Sequence, residues 1–353
     1  MYLLTRMKAA RLFGPNDLRI QDLPVPEPGP GAILLRTGSA SVCGTDIRML
    51  KHGHAFATPQ TPLVIGHEMA GTIERLGAGV RGHHAGQRVC VAPNYNPVSS
   101  RLTVAGEGHL DPGYRALGIH EDGAFAEFVL IPALAVQQGN VFPIPDHVSF
   151  TEAALVEPMA CVYNAYEKAR TGPGDTVLII GAGPIGVMHG KMSRLAGAGK
   201  VIINDVNSER LEMARHLDPS FITVGGDLRS EINRLTGGAG PDVIITACPV
   251  PEVQTLAVEL AAVNGRIVFF GGLPKDRAVV PLDANIIHYR QLIVTGTTRQ
   301  SLRQFQATLA LVSDGVLRLE DLVTSTHPVE ETEKAIAAMA AASGLKARLS
   351  FAA

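Results

Sequence analysis

Cysteine is scarce in this chain and never paired. There are four in 353 residues (Cys43, Cys90, Cys161, Cys248), with no CxxC among them. That argues against a disulfide framework and for a reducing, cytoplasmic setting. A charge excess is also missing. The formal net charge is −2, so no basic field calls for nucleic acid or an anionic membrane surface. No apolar run approaches the ~18–20 residues that span a bilayer. The opening stretch Met1–Met7 is too short for a signal peptide. Met7-Lys8-Ala9 reads as a second start, which would make residues 1–6 a dispensable extension. Internal repeats and low-complexity tracts are absent, and the alanine-rich Ala335–Ala342 is ordinary helix composition. What the chain does have is apolar content: 46% of its residues, enough for real cores. Its length suggests two domains of roughly 150 residues each.

The texture changes near the middle. From Met7 to about Pro145, short apolar runs alternate with turn signals such as Gly14-Pro15-Asn16-Asp17 and Gly77-Ala-Gly79. Strands are expected near 32–37, 70–76, 88–92 and 125–131, in a compact barrel or sandwich. From Ser149 onward a helix is expected over Thr151–Arg170, capped by Ser149 or Thr151. Strands then alternate with helices: strands near 176–180, 201–205, 221–224, 242–246, 266–270 and 291–295, helices notably at 184–196, 208–217 and 252–263. Six such strands are what a doubly wound parallel sheet needs. A helix over Leu302–Ser313, a segment at Leu322–Ser325, a helix near 329–342 and a strand at Lys346–Ser350 close the chain. The expected domains are 1–150, 151–297 and 298–353, the last returning to the first.

The central stretch is Thr176-Val-Leu-Ile-Ile-Gly181-Ala-Gly183-Pro184-Ile185-Gly186. Its apolar strand lacks polar alternation, as a strand covered on both faces should. Gly181 suits the tight turn, Gly183 lets backbone approach a pyrophosphate, and Gly186 lets the helix pack close. The first helical N–H groups would face the phosphates. A second strand ends at Asp205, 19 positions after Gly186, where a carboxylate would bind a ribose 2′-hydroxyl. A carboxylate there repels a 2′-phosphate, and Val206 and Asn207 supply no cation. NAD is therefore favoured over NADP, with Arg210 one helical turn further on as the opposing feature.

A second constellation lies in the β-rich part: Val42-Cys43-Gly44-Thr45-Asp46 and Val64-Ile65-Gly66-His67-Glu68. Thiolate, imidazole and carboxylate are ligands that zinc accepts in sites with one open position. Far along the chain, Glu157 in Leu155-Val-Glu157-Pro158 is costly in an apolar helix start unless paired or bound to a cation.

With Asp-Gly-Ala-Phe-Ala-Glu at 122–127, these motifs run in the order found in a known family. The chain resembles the zinc-dependent medium-chain dehydrogenases, in the polyol branch around sorbitol dehydrogenase, essentially throughout from Met7. The resemblance implies an α/β protein: a GroES-like β-barrel catalytic domain plus a Rossmann doubly wound sheet, with substrate in a cleft between them. It implies that Cys43 and His67 are ligands of a catalytic zinc. Glu68 and Glu157 stand as the acidic residues beside the metal, with no decision as to which ligates directly. It further implies that Thr45 starts the proton relay and that Asp46 orients the ligand histidine. Arg299 resembles a substrate-side arginine; apart from the resemblance, Arg48, Lys51 and Arg299 are cations that would favour a phosphorylated or acidic substrate. Lys346 resembles a residue near the cofactor. Pro184, Ile185, Arg210 and Thr297 join the glycines and Asp205 as cofactor contacts.

Two departures stand out. Many relatives carry a structural zinc on four closely spaced cysteines. The stretch here, from Asn94 through Gly118, has none, so one catalytic zinc and no structural zinc is expected. Several relatives also place a relay histidine after Cys-Gly-(Ser/Thr)-Asp; here Ile47-Arg48-Met49 follows, leaving His52, His54 or solvent to end the relay. The resemblance implies NAD-dependent oxidation of a secondary alcohol of a polyol, sugar alcohol or cyclitol, phosphorylated or not, by a homodimer or homotetramer. L-threonine is the alternative substrate. A non-catalytic NAD-binding sensor or structural protein is the alternative of another class, and retention of Cys43, His67 and Thr45 argues against it.

Overall fold

The computed structural model describes residues 5–97 and 99–351, so most of the 1–6 extension lies outside the described residues. The chain opens with β1 (Arg6–Gly14), β2 (Asp17–Pro24), β3 (Ile33–Ser41), α1 (Gly44–His52), β4 (Leu63–Val64), β5 (Glu68–Leu76) and β6 (Arg88–Val91). It continues through β7 (Asn94–Tyr95), α2 (Arg101–Val104), β8 (Arg115–Ala116), β9 (Phe128–Ile131), α3 (Ala133–Gln138) and β10 (Val141–Pro143). The middle runs α4 (Phe150–Ala154), α5 (Val156–Ala169), β11 (Thr176–Ile180), α6 (Pro184–Leu195), β12 (Lys200–Asn204), α7 (Ser208–Leu217), β13 (Ile222–Val224) and α8 (Leu228–Thr236). It goes on with β14 (Val243–Thr246), α9 (Pro251–Leu260), β15 (Arg266–Phe269), α10 (Ala284–Tyr289) and β16 (Ile293–Gly296). The chain closes with α11 (Leu302–Ser313), β17 (Val323–Pro328), α12 (Thr332–Ala340) and β18 (Lys346–Ser350).

Two compact units result: residues 1–160 with 300–353, and residues 161–299. In the first, β2-β1-β4 form one sheet and β10-β6-β5-β3-β18-β17 another, with β9 also paired to β3. The C-terminal segment enters this unit as a strand. Leu349 of β18 faces Ala40 of β3 in antiparallel register. Leu12, Leu34, Ile73, Val91, Phe125 and Leu349 meet in its core.

The second unit is a six-stranded sheet in the order β13-β12-β11-β14-β15-β16. Every pairing in it is parallel. That order is the doubly wound arrangement, reversing direction between β11 and β14. Leu178, Ile202, Ile244 and Ile267 are wholly buried on its strands, which is why those strands read as continuous apolar runs.

The structure corrects the sequence reading in places. The single helix expected over Thr151–Arg170 is two, α4 and α5, separated at Leu155. Pro158 has no N–H to offer Ala154, and its ring crowds that carbonyl, so the helix breaks there and restarts. Ser149 caps α4 by accepting the Glu152 N–H at 3.1 Å. The helix expected to Val263 stops at Leu260, with Ala261 extended. Helices α8 and α10 were not anticipated. Among the described residues no helix is long and apolar enough to cross a membrane.

Candidate metal centre and dinucleotide-binding turn

The metal centre is assembled in the first unit from three separate pieces of chain. Cys43 lies between the end of β3 and the first turn of α1. Its backbone N–H is held by Asp46 Oδ2 at 2.8 Å, which ties the thiol to the helix start. His67 and Glu68 lie where the chain enters β5. Gly66 before them has φ +93°, and a Cβ there would lie 2.3 Å from the Phe125 ring. No side chain fits at Gly66, so the Gly-His-Glu order is a packing requirement. The 122–127 motif braces the same loop. Asp122 Oδ1 accepts the Val64 N–H at 2.8 Å. The Ala124 and Phe125 amides reach the carbonyls of Gly66 and Ile65 at 2.8 and 3.0 Å. Sequence reasoning noticed that motif without assigning it this role.

One ligand atom each from Cys43, His67 and Glu68 can be chosen so that all three lie within 4.8 Å of one another. His67 and Glu68 are buried and Cys43 is half-buried. His67 Nδ1 and Asp46 Oδ1 are buried without hydrogen-bond partners and face each other at 3.6 Å. Burial works against a charged imidazole, yet Asp46 and Cys43 overcome it and hold the His67 pKa well above its ordinary value. A thiol, an imidazole and a carboxylate converging on a buried point, with a second carboxylate behind the imidazole, fit a zinc ion.

The two glutamates differ in their partners. Lys346 Nζ lies 2.6 Å from both Glu68 oxygens and 3.0 Å from the Val42 carbonyl. Ser41 Oγ also donates to Glu68 Oε2. Lys346 is 2% exposed and held in this buried ion pair. Burial would lower its pKa, but Glu68 raises it. Glu157, at the start of α5, accepts from Gln300 Nε2 at 3.0 Å. Burial pushes the Glu157 carboxyl up to about 7, against the pull of His67 and Lys346 and with the push of Glu68. Neither Ser41 nor Gln300 was singled out from sequence, because a lone polar residue at a strand end or in a connecting segment carries no periodic signal.

Thr45 and Arg48 are one helical turn apart on α1, and the Arg48 guanidinium donates to Thr45 Oγ1 at 3.0 Å. Arg299 has φ +57°, and its carbonyl accepts from Asn164. The cysteine-free stretch is held by hydrogen bonds. Asn96 exchanges backbone bonds with the Gln138 amide at 2.7 and 3.0 Å, Asn140 Nδ2 reaches the Ala92 and Asn94 carbonyls at 2.8 and 2.6 Å, and Tyr95 donates to Glu121.

The second unit carries the dinucleotide-binding turn between β11 and α6. Gly181 has φ +115°, and a Cβ on Gly186 would lie 1.7 Å from the Gly181 carbonyl oxygen. Around Gly183 the nearest atoms to such a Cβ belong to the Arg210 guanidinium, at 3.7 Å and beyond. Backbone there is open to a phosphate, with a cation alongside. Pro184 opens α6, and Ile185 follows it in the first turn. Asp205 Oδ2 accepts the Ala182 N–H at 2.7 Å, and Oδ1 accepts the Asn207 N–H at 2.9 Å. The acidic residue is thus locked to the glycine turn, with its charge beside the nucleotide cradle. Thr297 follows β16, its N–H 3.4 Å from the Phe269 carbonyl. The cradle fits a dinucleotide pyrophosphate.

A barrel-like unit holding a Cys-His-Glu centre, joined to a Rossmann unit with this turn, defines a metal-dependent dehydrogenase. Comparison with known proteins agrees. Residues 29–146 match the alcohol dehydrogenase GroES-like domain, and residues 184–314 match the zinc-binding dehydrogenase domain. The chain is 33% identical to L-threonine 3-dehydrogenase of Ruegeria pomeroyi over 94% of its own length and 96% of the relative's. It is 30% identical to sorbitol dehydrogenase of Bombyx mori, over 94% and 95%. Among solved structures, an alcohol dehydrogenase of Escherichia coli complexed with NADH matches at a TM-score of 0.89 and 28% identity, covering 99% of this chain and 100% of that one. A Sinorhizobium meliloti chain bound to NADP matches at 0.90 and 30%, covering 98% and 99%. The chain belongs to the zinc-dependent medium-chain dehydrogenase family, and it is an oxidoreductase.

Proposed function

We propose that the protein oxidises a secondary alcohol of a polyol, sugar alcohol or cyclitol to the ketone with NAD, and catalyses the reverse. The observation that carries this reading is the convergence of Cys43, His67 and Glu68, with Asp46 behind His67. When bound, zinc supplies Lewis acidity at the alcohol oxygen, and NAD supplies the hydride acceptor. The protein's own groups do the rest. Cys43, His67 and one of Glu68 and Glu157 hold the metal. Asp46 fixes the His67 ring. Thr45 takes the alcohol proton toward solvent, and Arg48 on its hydroxyl oxygen leaves that O–H free to point elsewhere. Asp205 supports NAD over NADP by charge, and the Arg210 guanidinium beside Gly183 supports a phosphate contact there. One catalytic zinc per chain, and no structural zinc, follows from the cysteine-free stretch. L-threonine is a second substrate reading, favoured by the Ruegeria pomeroyi relative.

The test is zinc content of protein purified without added metal, with NADH and NADPH formation measured across polyols, cyclitols, their phosphates and L-threonine. About one zinc per chain, with polyol- or cyclitol-dependent NADH formation lost in Cys43→Ala while NAD binding is kept, supports the reading. Undiminished turnover in Cys43→Ala overturns the metal's role. Turnover with L-threonine alone replaces the substrate assignment. About two zincs per chain overturn the single-metal assignment.

A further inference from the structure

Glu157 and Gln300 are brought together from opposite ends of the middle of the chain, 143 residues apart in sequence. Both are buried, Glu157 at 6% exposure and Gln300 at 2%. The segment carrying Gln300 is fixed on both sides. Downstream, Ser301 caps α11 by accepting the Gln304 N–H at 3.3 Å, and Gln304 returns its Oε1 to the Ser301 N–H at 2.8 Å. This reciprocal box sets where Gln300 leaves the helix. Upstream, Asn164 Nδ2 donates to the carbonyls of Thr298 and Arg299 at 3.3 and 3.0 Å. Arg299 sits in the left-handed region at φ +57°, a conformation costly for a non-glycine residue unless its surroundings enforce it. The turn therefore presents the Gln300 amide from a backbone with little freedom.

A neutral donor is what this place requires. A lysine at 300 would neutralise Glu157 by direct pairing, as Lys346 does Glu68. A glutamate would set two buried carboxyls against each other. An amide donates to one oxygen of Glu157 and orients the group without adding a charge of its own. Resting on the metal-centre reading above, we propose that Gln300 is a positioning residue: its side-chain amide fixes the Glu157 carboxylate so that the charge is directed at the Cys43–His67 metal centre. Asn164 and the Ser301–Gln304 box hold Gln300 in place for that task.

The experiment compares wild type, Gln300→Met, Gln300→Asn, Glu157→Gln and the Gln300→Met/Glu157→Gln double variant. Zinc affinity is read by competition with a chelating dye, and ligand geometry by the visible absorption of the cobalt(II)-substituted proteins. Gln300→Met is expected to bind zinc about 10-fold more weakly or worse, the loss typical when a group supporting a ligand is removed. Its cobalt bands should shift, and adding it to Glu157→Gln should have almost no further effect. Gln300→Asn, which keeps the amide but withdraws it by one methylene, should change in the same direction and decides the matter if the methionine variant does not fold. Wild-type affinity and spectrum in the Gln300 variants overturn the positioning role while the metal centre stands. So does a full additional loss in the Glu157→Gln background. A wild-type chain without zinc affinity overturns the metal-centre reading, and this proposal with it.

Discussion

Lys346 and Glu68 lie 278 residues apart in sequence, yet their side chains form one buried pair. Lys346→Met would leave Glu68 in the interior without a cation. Breaking one side of a buried pair costs about 3–5 kcal/mol. Urea denaturation of the metal-free protein should show a loss of that size, and Lys346→Met/Glu68→Gln should recover much of it because no naked charge remains. An unchanged midpoint in Lys346→Met would mean that water reaches Glu68. His189 on α6 poses the opposite case. It is 1% exposed, Nε2 has no hydrogen-bond partner, and its ring stands edge-on to Phe270 at 4.7 Å. Burial lowers its pKa from 6.5 to about 3. Between those values the unfolded chain binds a proton that the folded chain refuses. Stability must therefore fall as pH drops from 6.5 toward 3, with no further loss from this group below that. The slope is about 1.4 kcal/mol per pH unit. His189→Leu should lack this component, so its stability relative to wild type should improve steadily as the solution is acidified. Parallel curves would show that His189 escapes its burial on protonation. At this scale the sequence was legible where a side chain's chemistry is intrinsic, as at Cys43 and His67. It was not legible where meaning depends on a partner, as at Lys346, Ser41 and Gln300.

The β11–α6 turn shows how far an element can be read from local pattern. Its strand, three glycines and helix start all follow from short-range rules, and the structure gives Gly181 and Gly186 a steric reason, while Gly183 is sterically open. The prediction is correspondingly specific. In Gly186→Ala the new methyl meets the Gly181 carbonyl oxygen, a backbone atom that cannot swing aside. The helix must back away from the strand, so the amides at its start leave the phosphate position. NADH binding, followed by nucleotide fluorescence, should weaken by at least about 10-fold, equivalent to about 1.4 kcal/mol, while zinc content stays at the wild-type level. Unchanged NADH affinity would mean that the turn accommodates the methyl and that close helix–strand approach is not needed. Elsewhere local pattern failed for definable reasons. Pro158 splits the helix around Glu157, a break hidden by the apolar, helix-favouring residues on both sides. Helix α8, with its Asp227 cap on Ser230 N–H and only Leu228 and Ile232 buried, is too polar for its period to stand out in a short stretch. Helix α10 has no buried residue at all, leaving little apolar signal to find.

Over the whole molecule, two texture classes were visible in the sequence because the first part has short apolar runs broken by frequent turn signals and the second has apolar strands spaced by helices. The return of the C-terminus to the first unit came from family likeness, since no local feature of Lys346–Ser350 says that it pairs with β3. The sheet of the second unit also bears on assembly. β16 is last in its strand order and, among the described residues, pairs only with β15. Ile293 on it is 45% exposed, and Tyr289 just before it is 78% exposed. An open, apolar edge of this kind pairs with another chain unless something blocks it. A second copy, joining β16 to β16 about a two-fold axis, satisfies the free backbone groups on both sides at once. This assembly is a proposal, and Ile293→Lys tests it, because a lysine on an edge strand opposes pairing while leaving the β15 ladder intact. Sedimentation should show wild type as a dimer or a tetramer and the variant shifted toward a smaller species, with zinc content and NADH affinity retained. A wild-type chain that sediments as a monomer would overturn the edge-strand assembly outright. An unchanged oligomer in Ile293→Lys would place the subunit contact on another surface.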